Sequence, residues 1–207
     1  RNVEDLASNI KEAFYIAKSG RPGPVLVDLP KDVQLASCTF KYPEKVNRRG
    51  YNPSVKGHIK QIRLAAEKIM KSDKPVIVAG GGVINANASE ELQKFACKAN
   101  IPVVNTFMGI GSFPENHYLS TGMLGMYGQY LANKVTSSAD LIIALGTRFD
   151  DRITGNLKQF CPNAEIIHID IDPAEIGKNI SVKIPIVGDL KNILHQMNNY
   201  IKEKQNS

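Results

Sequence analysis

Only three cysteines, Cys38, Cys97 and Cys161, occur in the 207 residues. Their odd number and wide spacing, with no C-x-x-C pair, exclude a disulfide framework and a cysteine zinc site, and point to reduced, buried thiols. Histidine is as sparse. His58, His117, His168 and His195 are scattered, and none stands at i, i+4 from another His or Cys, so no protein-only metal site is expected. Long apolar runs are missing too: stretches such as 75–79 and 141–145 fall far short of the ~20 residues that cross a bilayer, so a soluble protein with no membrane association is expected. The opening run mixes Glu4, Asp5, Lys11 and Glu12 among its apolar positions, unlike the apolar core of a signal peptide, and no targeting segment is read from it. Basic clusters are lacking. The net charge is +6, yet Arg48 and Arg49 are the one adjacent basic pair. That spread suits a solvated surface rather than a nucleic-acid partner, and it equally suits an anionic ligand such as a dinucleotide pyrophosphate.

What is present is globular in composition, 43% hydrophobic and 22% charged, and long enough for one sizeable core or for one domain plus part of another. Over 3–17 the apolar residues Val3, Leu6, Ala7, Ile10, Ala13, Phe14 and Ala17 recur at helical spacing, with Ser19-Gly20 as the stop. The run 25–29 is apolar and β-branched, is closed by Pro30, and reads as a buried strand. One helix and one strand cannot bury their own faces, so residues 1–36 are expected to be the tail of a domain. From 31 to 56 no period is sustained, and Pro43, Asn47, Gly50, Asn52 and Pro53 interrupt every short run. An extended linker is expected, assigned to 37–57, with a second domain over 58–207.

That second part alternates. A helix carrying Ile59, Ile62, Ala66, Ile69 and Met70 precedes a strand at 75–79; a helix follows over 89–98, then strands at 102–105, 141–145, 165–169 and 184–187, with helices near 128–137 and 190–202. Continuous apolar strands separated by helices predict an α/β fold, a parallel sheet flanked by helices and Rossmann-like. Ligands of such sheets bind outside the carboxyl ends of the strands, so function is sought just after each one.

Five junctions follow. Gly80-Gly81-Gly82 offers close backbone approach and free N–H groups, although Val83, Ile84 and Asn85 break the G-x-G-x-x-G fingerprint, and a plain tight turn fits as well. Asn105 to Gly111 places the Thr106 hydroxyl and two glycines at a strand end, and leads to Gly122-Met123-Leu124-Gly125-Met126-Tyr127-Gly128, a glycine-dense loop before a helix N-terminus. Gly146-Thr147-Arg148-Phe149-Asp150-Asp151-Arg152 puts two guanidinium groups and two carboxylates in one turn; phosphate or carboxylate binding and a local salt-bridge cluster with an aspartate cap stand level. Asp170 can accept from a ribose, whereas Asp172 before Pro173 reads as an ordinary helix start. Asp189 after Gly188 reads first as an N-cap. Together these make a nucleotide-binding domain a fair inference, without identifying a reaction.

Here the residues resemble a known family. Residues 19–33, SGRPGPVLVDLPKDV, resemble the end of the pyrimidine-binding domain of thiamine-diphosphate enzymes. The runs 108–114, 122–128, 146–152 and 168–172, and the stretch GTRFDDRITGNLKQFCPNAEIIHIDIDPAEIGKN, resemble the central domain of the acetolactate synthase large subunit. That resemblance implies FAD in an extended pose against Arg21, Gly81, Thr106, Leu124, Gly125, Met126, Tyr127, Gly146, Thr147, Arg148, Phe149, Asp150, Asp170, Ile171 and Asp189. It also implies that Lys31, Met126, Asp151 and Arg152 line the approach to an active site where sulfonylurea-type inhibitors bind, with Arg152 orienting a substrate carboxylate. Tyr127 departs from the family, in which His is common at that position.

The implied parent reaction is decarboxylation of pyruvate on thiamine diphosphate and condensation with a second 2-oxoacid in branched-chain amino-acid synthesis. The glutamate that activates thiamine and the Gly-Asp-Gly…Asn motif for Mg2+ are absent from these residues, so this part alone is expected to be inactive, with no catalytic residue of its own. The resemblance further implies a homo-oligomer of large subunits and a small regulatory subunit, and a bacterial cytoplasm is the setting expected where no targeting segment is read. Two alternatives are another thiamine enzyme, such as glyoxylate carboligase or pyruvate oxidase, and a stand-alone nucleotide-binding module.

Overall fold

A computed structural model describes residues 2–46 and 48–203. The chain forms two compact units, Arg1–Pro53 and Ser54–Ser207.

In the first unit a 3-10 turn, Val3–Asp5, leads into α1, Leu6–Lys18. The Asn2 side chain caps the turn at Glu4 N, and the helix ends where Gly20 takes φ +61°, as the Ser19-Gly20 stop predicts. Two sequence expectations fail here. Residues 25–29 are not a buried strand: they are extended but join no ladder among the described residues, and Leu26 is 92% exposed. A strand needs a neighbour for its N–H and C=O groups, and the described residues of this unit supply none. Nor is 31–56 wholly extended, because Lys31–Leu35 winds into a short helix, α2, started by Pro30 and burying Val33. Five residues are too few to display a helical period.

The second unit is built on one six-stranded sheet, all parallel, in the order β3-β2-β1-β4-β5-β6. The strands are β1 Pro75–Ala79, β2 Val103–Asn105, β3 Ser120–Met123, β4 Leu141–Leu145, β5 Glu165–Asp170 and β6 Ile184–Val187. Every residue of β1 and β4 is buried, as a sheet covered on both faces requires. Alternate residues serve opposite cores. Ile77, Ile143 and Ile167 join one, and Val76, Val78, Ile142 and Ile166 join the other.

The larger core is closed by α3 Ile59–Lys71, α5 Ser89–Ala99 and α8 Leu190–Tyr200, which bury Ile62, Ile69, Leu92, Phe95, Ile193 and Met197 along their apolar stripes. The opposite core lies under α6, Tyr130–Ser137, and holds Leu124, Ala132, Phe149 and Cys161. Local chemistry sets the helix ends: Asn100 caps α5 in the left-handed conformation, and the Asp189 carboxylate accepts from Asn192 N at 2.9 Å to start α8.

Four further expectations are corrected. The glycine-dense segment at 122–128 is partly the edge strand β3, which has too few β-branched residues to announce itself, and α6 begins only at Tyr130. Asp172-Pro173 opens a series of turns, not a helix, with Asp172 accepting from Ala174 N at 3.0 Å. Helix α8 stops at Tyr200 rather than Lys202. Cys38 and Cys97 are exposed, and of the three thiols Cys161 alone is buried, because Cys97 falls on the outer face of α5.

Candidate ligand site at the strand carboxyl ends

The strand order reverses between β1 and β4, and their last residues, Ala79 and Leu145, are register partners. The residues that follow therefore meet at the switch point, where open α/β sheets bind ligands. Backbone contact there is close. Gly80 N donates to Leu145 O at 2.9 Å and Gly82 N to Gly146 O at 3.1 Å. A Cβ on Gly80 would lie 2.9 Å from Thr147 Cα, and one on Gly82 only 2.6 Å from Gly146 Cα. The two glycines flanking Gly81 are thus required by packing and, contrary to expectation, their N–H groups are spent on the facing backbone; with Gly146 they form a two-walled cradle. Gly81 itself faces Met108, at 3.1 Å from its Cβ position. A short helix, α4 Gly81–Asn85, starts in the cradle.

Around this cradle the other predicted residues gather. Thr106 follows β2, is buried, and donates its N–H to Ala79 O at 2.9 Å. Leu124 N donates to Asn105 O at 2.9 Å, while the Leu124 side chain is in the core. Gly125 is fixed by the Asn133 side-chain amide, which accepts from its N–H and donates to its carbonyl. Met126 N donates to Arg152 O at 2.8 Å, and Arg152 Nη1 lies 3.9 Å from Met126 Sδ. Those two channel residues are neighbours. Asp151 is exposed at the start of α7, Asp151–Thr154, and Tyr127 is 82% exposed.

The segment after β4 carries the chemistry. Gly146 takes φ +57°. Thr147 is buried, and its Oγ1 has no hydrogen-bond partner among the described residues. Arg148 projects outward, 57% exposed in its side chain, 3.9 Å from the Asp150 carboxylate. Phe149 turns its ring into the core at φ +51°, so only its backbone is left to face a ligand. Asp150 accepts from Ile153 N at 3.2 Å and caps α7, so the capping alternative is realised for that residue. At the end of β5, Asp170 is buried and accepts from Asp172 N at 2.9 Å, and Ile171 is half-buried beside it. Asp189, spent mainly on capping α8, also donates its N–H to Val55 O at 3.0 Å. Arg21 and Lys31 belong to the first unit and are exposed there.

Sequence reasoning passed over His168 and Asn179. His168 is 1% exposed and its Nε2 lies 2.9 Å from Thr147 O. A carbonyl can only accept, so Nε2 carries the proton. Burial holds its basicity below the ordinary histidine value, against the opposing pull of the Thr147 carbonyl and the Glu175 carboxylate. Asn179 Nδ2 donates to both Arg148 O and Phe149 O, each at 3.1 Å. A histidine inside an apolar strand and an asparagine in a run of turns give no periodic signal.

A dinucleotide such as FAD fits what is here. The orphaned Thr147 hydroxyl is a polar group that the protein alone does not satisfy, and Arg148 supplies an exposed guanidinium suited to phosphate. No group of three or more His, Cys, Asp or Glu side chains able to hold a metal ion occurs among the described residues, and no helix among them is long and apolar enough to cross a membrane.

Residues 62–197 match the family described as thiamine pyrophosphate enzyme, central domain. The chain is 49% identical over 207 residues to the acetolactate synthase large subunit of Buchnera aphidicola subsp. Acyrthosiphon pisum, covering 99% of this chain and 36% of that protein. It is 47% identical to the large subunit of Haemophilus influenzae, covering 99% and 36%, and 50% identical to the acetolactate synthase of Mycobacterium leprae, covering 95% and 32%. The chain therefore spans about a third of the length of these relatives. Among solved structures, benzoylformate decarboxylase from Polynucleobacter necessarius superposes with a TM-score of 0.79 at 23% identity, over 100% of this chain and 38% of that one, a likeness of fold. With its all-parallel sheet, its switch-point cradle and a family match over most of the second unit, the chain belongs to the thiamine pyrophosphate enzyme central-domain family.

Proposed function

We propose that this chain contributes the FAD-binding central domain of an acetolactate synthase large subunit, the enzyme that condenses pyruvate with a second 2-oxoacid in branched-chain amino-acid biosynthesis. The observation that carries the reading is the buried, unpartnered Thr147 Oγ1 beside the Gly80–Gly82 and Gly146 cradle, in a chain about half identical to acetolactate synthases. Gly81, Gly146 and Thr147 would receive the dinucleotide by close approach and a hydroxyl contact. Arg148 would hold an anionic oxygen, and Asp170 would accept from a ribose. Thr106 and the backbone of 124–127 and 149–150 would complete the wall, with Ile171 and Asp189 as outer contacts. FAD supplies no net electron transfer to this condensation and serves as a structural group. The carbon–carbon chemistry would rest on thiamine diphosphate and Mg2+ held by residues outside this sequence, because it contains no Gly-Asp-Gly motif. Met126 and Arg152, adjacent in the structure, with Asp151, would line the substrate approach. A second large subunit and a small regulatory subunit are the proposed partners, in a bacterial cytoplasm.

Titration of FAD fluorescence with the purified chain tests the proposal. Saturable quenching that weakens about tenfold in Arg148→Ala is expected, since a charge-assisted contact contributes roughly 1.5–3 kcal/mol. Binding that is indifferent to both Arg148→Ala and Thr147→Val would place any flavin elsewhere and sink the assignment.

A further inference from the structure

The turn at 147–149 makes an unusual demand: three successive carbonyls leave a strand end just where the proposed ligand site needs Thr147 and Arg148 correctly aimed. None of the three is satisfied by the sheet. The Thr147 carbonyl accepts from His168 Nε2 at 2.9 Å, and the Arg148 and Phe149 carbonyls both accept from Asn179 Nδ2 at 3.1 Å. The turn is also strained at Phe149, a non-glycine residue at φ +51°. That ring is held edge-on against His168, with centroids 5.3 Å apart at 81°, and against Phe160, at 6.0 Å and 70°. A left-handed aromatic residue persists only where its surroundings over-determine it, and here two side chains from a distant segment and a packed ring do so.

We propose that His168 and Asn179 are positioning residues for the ligand site: they clamp the carbonyls of 147–149, so that the Thr147 hydroxyl stays unpartnered and the Arg148 side chain faces out before any ligand arrives. Neither residue need touch the ligand. The clamp works with His168 neutral. With Nε2–H given to Thr147 O, Nδ1 is a bare acceptor that is buried and has no partner among the described residues, so a second proton there would find no acceptor. The charged groups facing the ring are Asp170, with Oδ2 at 4.0 Å from Nε2, and Glu175; its strand neighbours in register, Ala144 and Pro185, carry no charge. The expected gain is preorganisation, a smaller ordering cost on binding rather than an added contact.

The inference rests on the FAD reading for its ligand but not for its test. Backbone amide hydrogen exchange is measured at Gly146, Ile153 and Thr154, whose N–H groups are hydrogen-bonded at the two ends of the turn, on the ligand-free chain for wild type, His168→Leu, His168→Gln and Asn179→Ala, and FAD titration follows on each. Faster exchange is expected in His168→Leu and Asn179→Ala, with recovery in His168→Gln, whose amide nitrogen can donate where Nε2 does. Flavin affinity should fall about fivefold or more in the first two, in parallel with the exchange. Exchange unchanged in both Asn179→Ala and His168→Leu overturns the clamp, whether or not flavin binds. Faster exchange in a chain that binds no flavin at all supports the clamp and removes the FAD reading alone. Should His168→Leu fail to fold, the exposed Asn179 variant decides by itself.

Discussion

Gly82 and Gly146 meet face to face: a Cβ on Gly82 would lie 2.6 Å from Gly146 Cα, and one on Gly146 would lie 2.5 Å from Gly82 Cα. Each position excludes a side chain on account of the other, and Gly146 is held besides at φ +57°. Gly146→Ala therefore combines backbone strain with overpacking, a loss of about 2–4 kcal/mol. Gly177 is the internal control, because it too sits at positive φ, +75°, but nothing lies within 4 Å of its Cβ position. Gly177→Ala should cost only the backbone share, about 1–2 kcal/mol. Urea unfolding of both variants checks the difference; equal losses would mean that the two walls of the cradle do not touch.

Thr147→Val should move stability and affinity in opposite directions. The substitution removes a buried hydroxyl with no protein partner, so the ligand-free chain should gain up to about 1 kcal/mol. The same change should weaken flavin binding by roughly 1–2 kcal/mol, about 5- to 30-fold, if that hydroxyl is meant for the ligand. Thermal unfolding without flavin and fluorescence titration with it give the two readings. A loss in both would make the hydroxyl an ordinary structural group.

Asp140 ties α3 to β1 through the side chain. Its carboxylate accepts from Ser72 Oγ, from Asp73 N at 2.8 Å and from Lys74 N at 3.0 Å. Burial alone would raise its pKa, but these hydrogen bonds outweigh it and hold the group below the ordinary aspartate value. A carboxylate depressed in the folded state contributes stability that is whole above the unfolded value, about 3.9, and is lost as pH falls through the folded one. The acid limb of the stability–pH curve below pH 4 should therefore flatten in Asp140→Asn. At neutral pH the same variant should be about 1–2 kcal/mol less stable than wild type. Urea midpoints at pH 7 and pH 3 measure both; an acid limb of unchanged slope would assign it to other carboxylates.

The sheet was readable because its strands are short apolar runs: 75–79 and 141–145, buried throughout, and the edge run 184–187 are bounded in the structure as their residues suggest. Strand β3 was not, since Ser120, Thr121 and Gly122 have no apolar pattern and the strand owes its existence to a single neighbour, β2. The run 25–29 shows the reverse error. Its composition is that of a strand, but pairing is a property of two segments, and its own unit offers no second one. At the site, glycines, Thr147 and Arg148 were visible by following the ends of strands. The supports were not: Asn133, Asn179 and His168 act through carbonyl and amide contacts 8, 30 or 31 and 21 residues away in sequence, and nothing local marks such partners.

The three thiols should separate cleanly by reactivity. Cys161 is 6% exposed, its Sγ lies 3.2 Å from Thr136 O, and burial pushes its pKa up to about 11. At pH 8 such a group is roughly 0.1% thiolate, and the thiolate is the nucleophile, so reaction is suppressed by ionisation as well as by access. Cys38 and Cys97 are exposed and meet no barrier of burial. Ellman titration of the native chain should release two equivalents quickly, with a third appearing only as urea unfolds the second unit. Appearance of the Cys161 signal should then track the global transition, because that thiol, in the β4–β5 connection, is packed into the core against Thr136 of α6 rather than at a fraying end. Three fast equivalents in the native state would contradict the packing of that core. One fast equivalent would mean that Cys38 or Cys97 is shielded, and single Cys→Ser variants of the two would identify which.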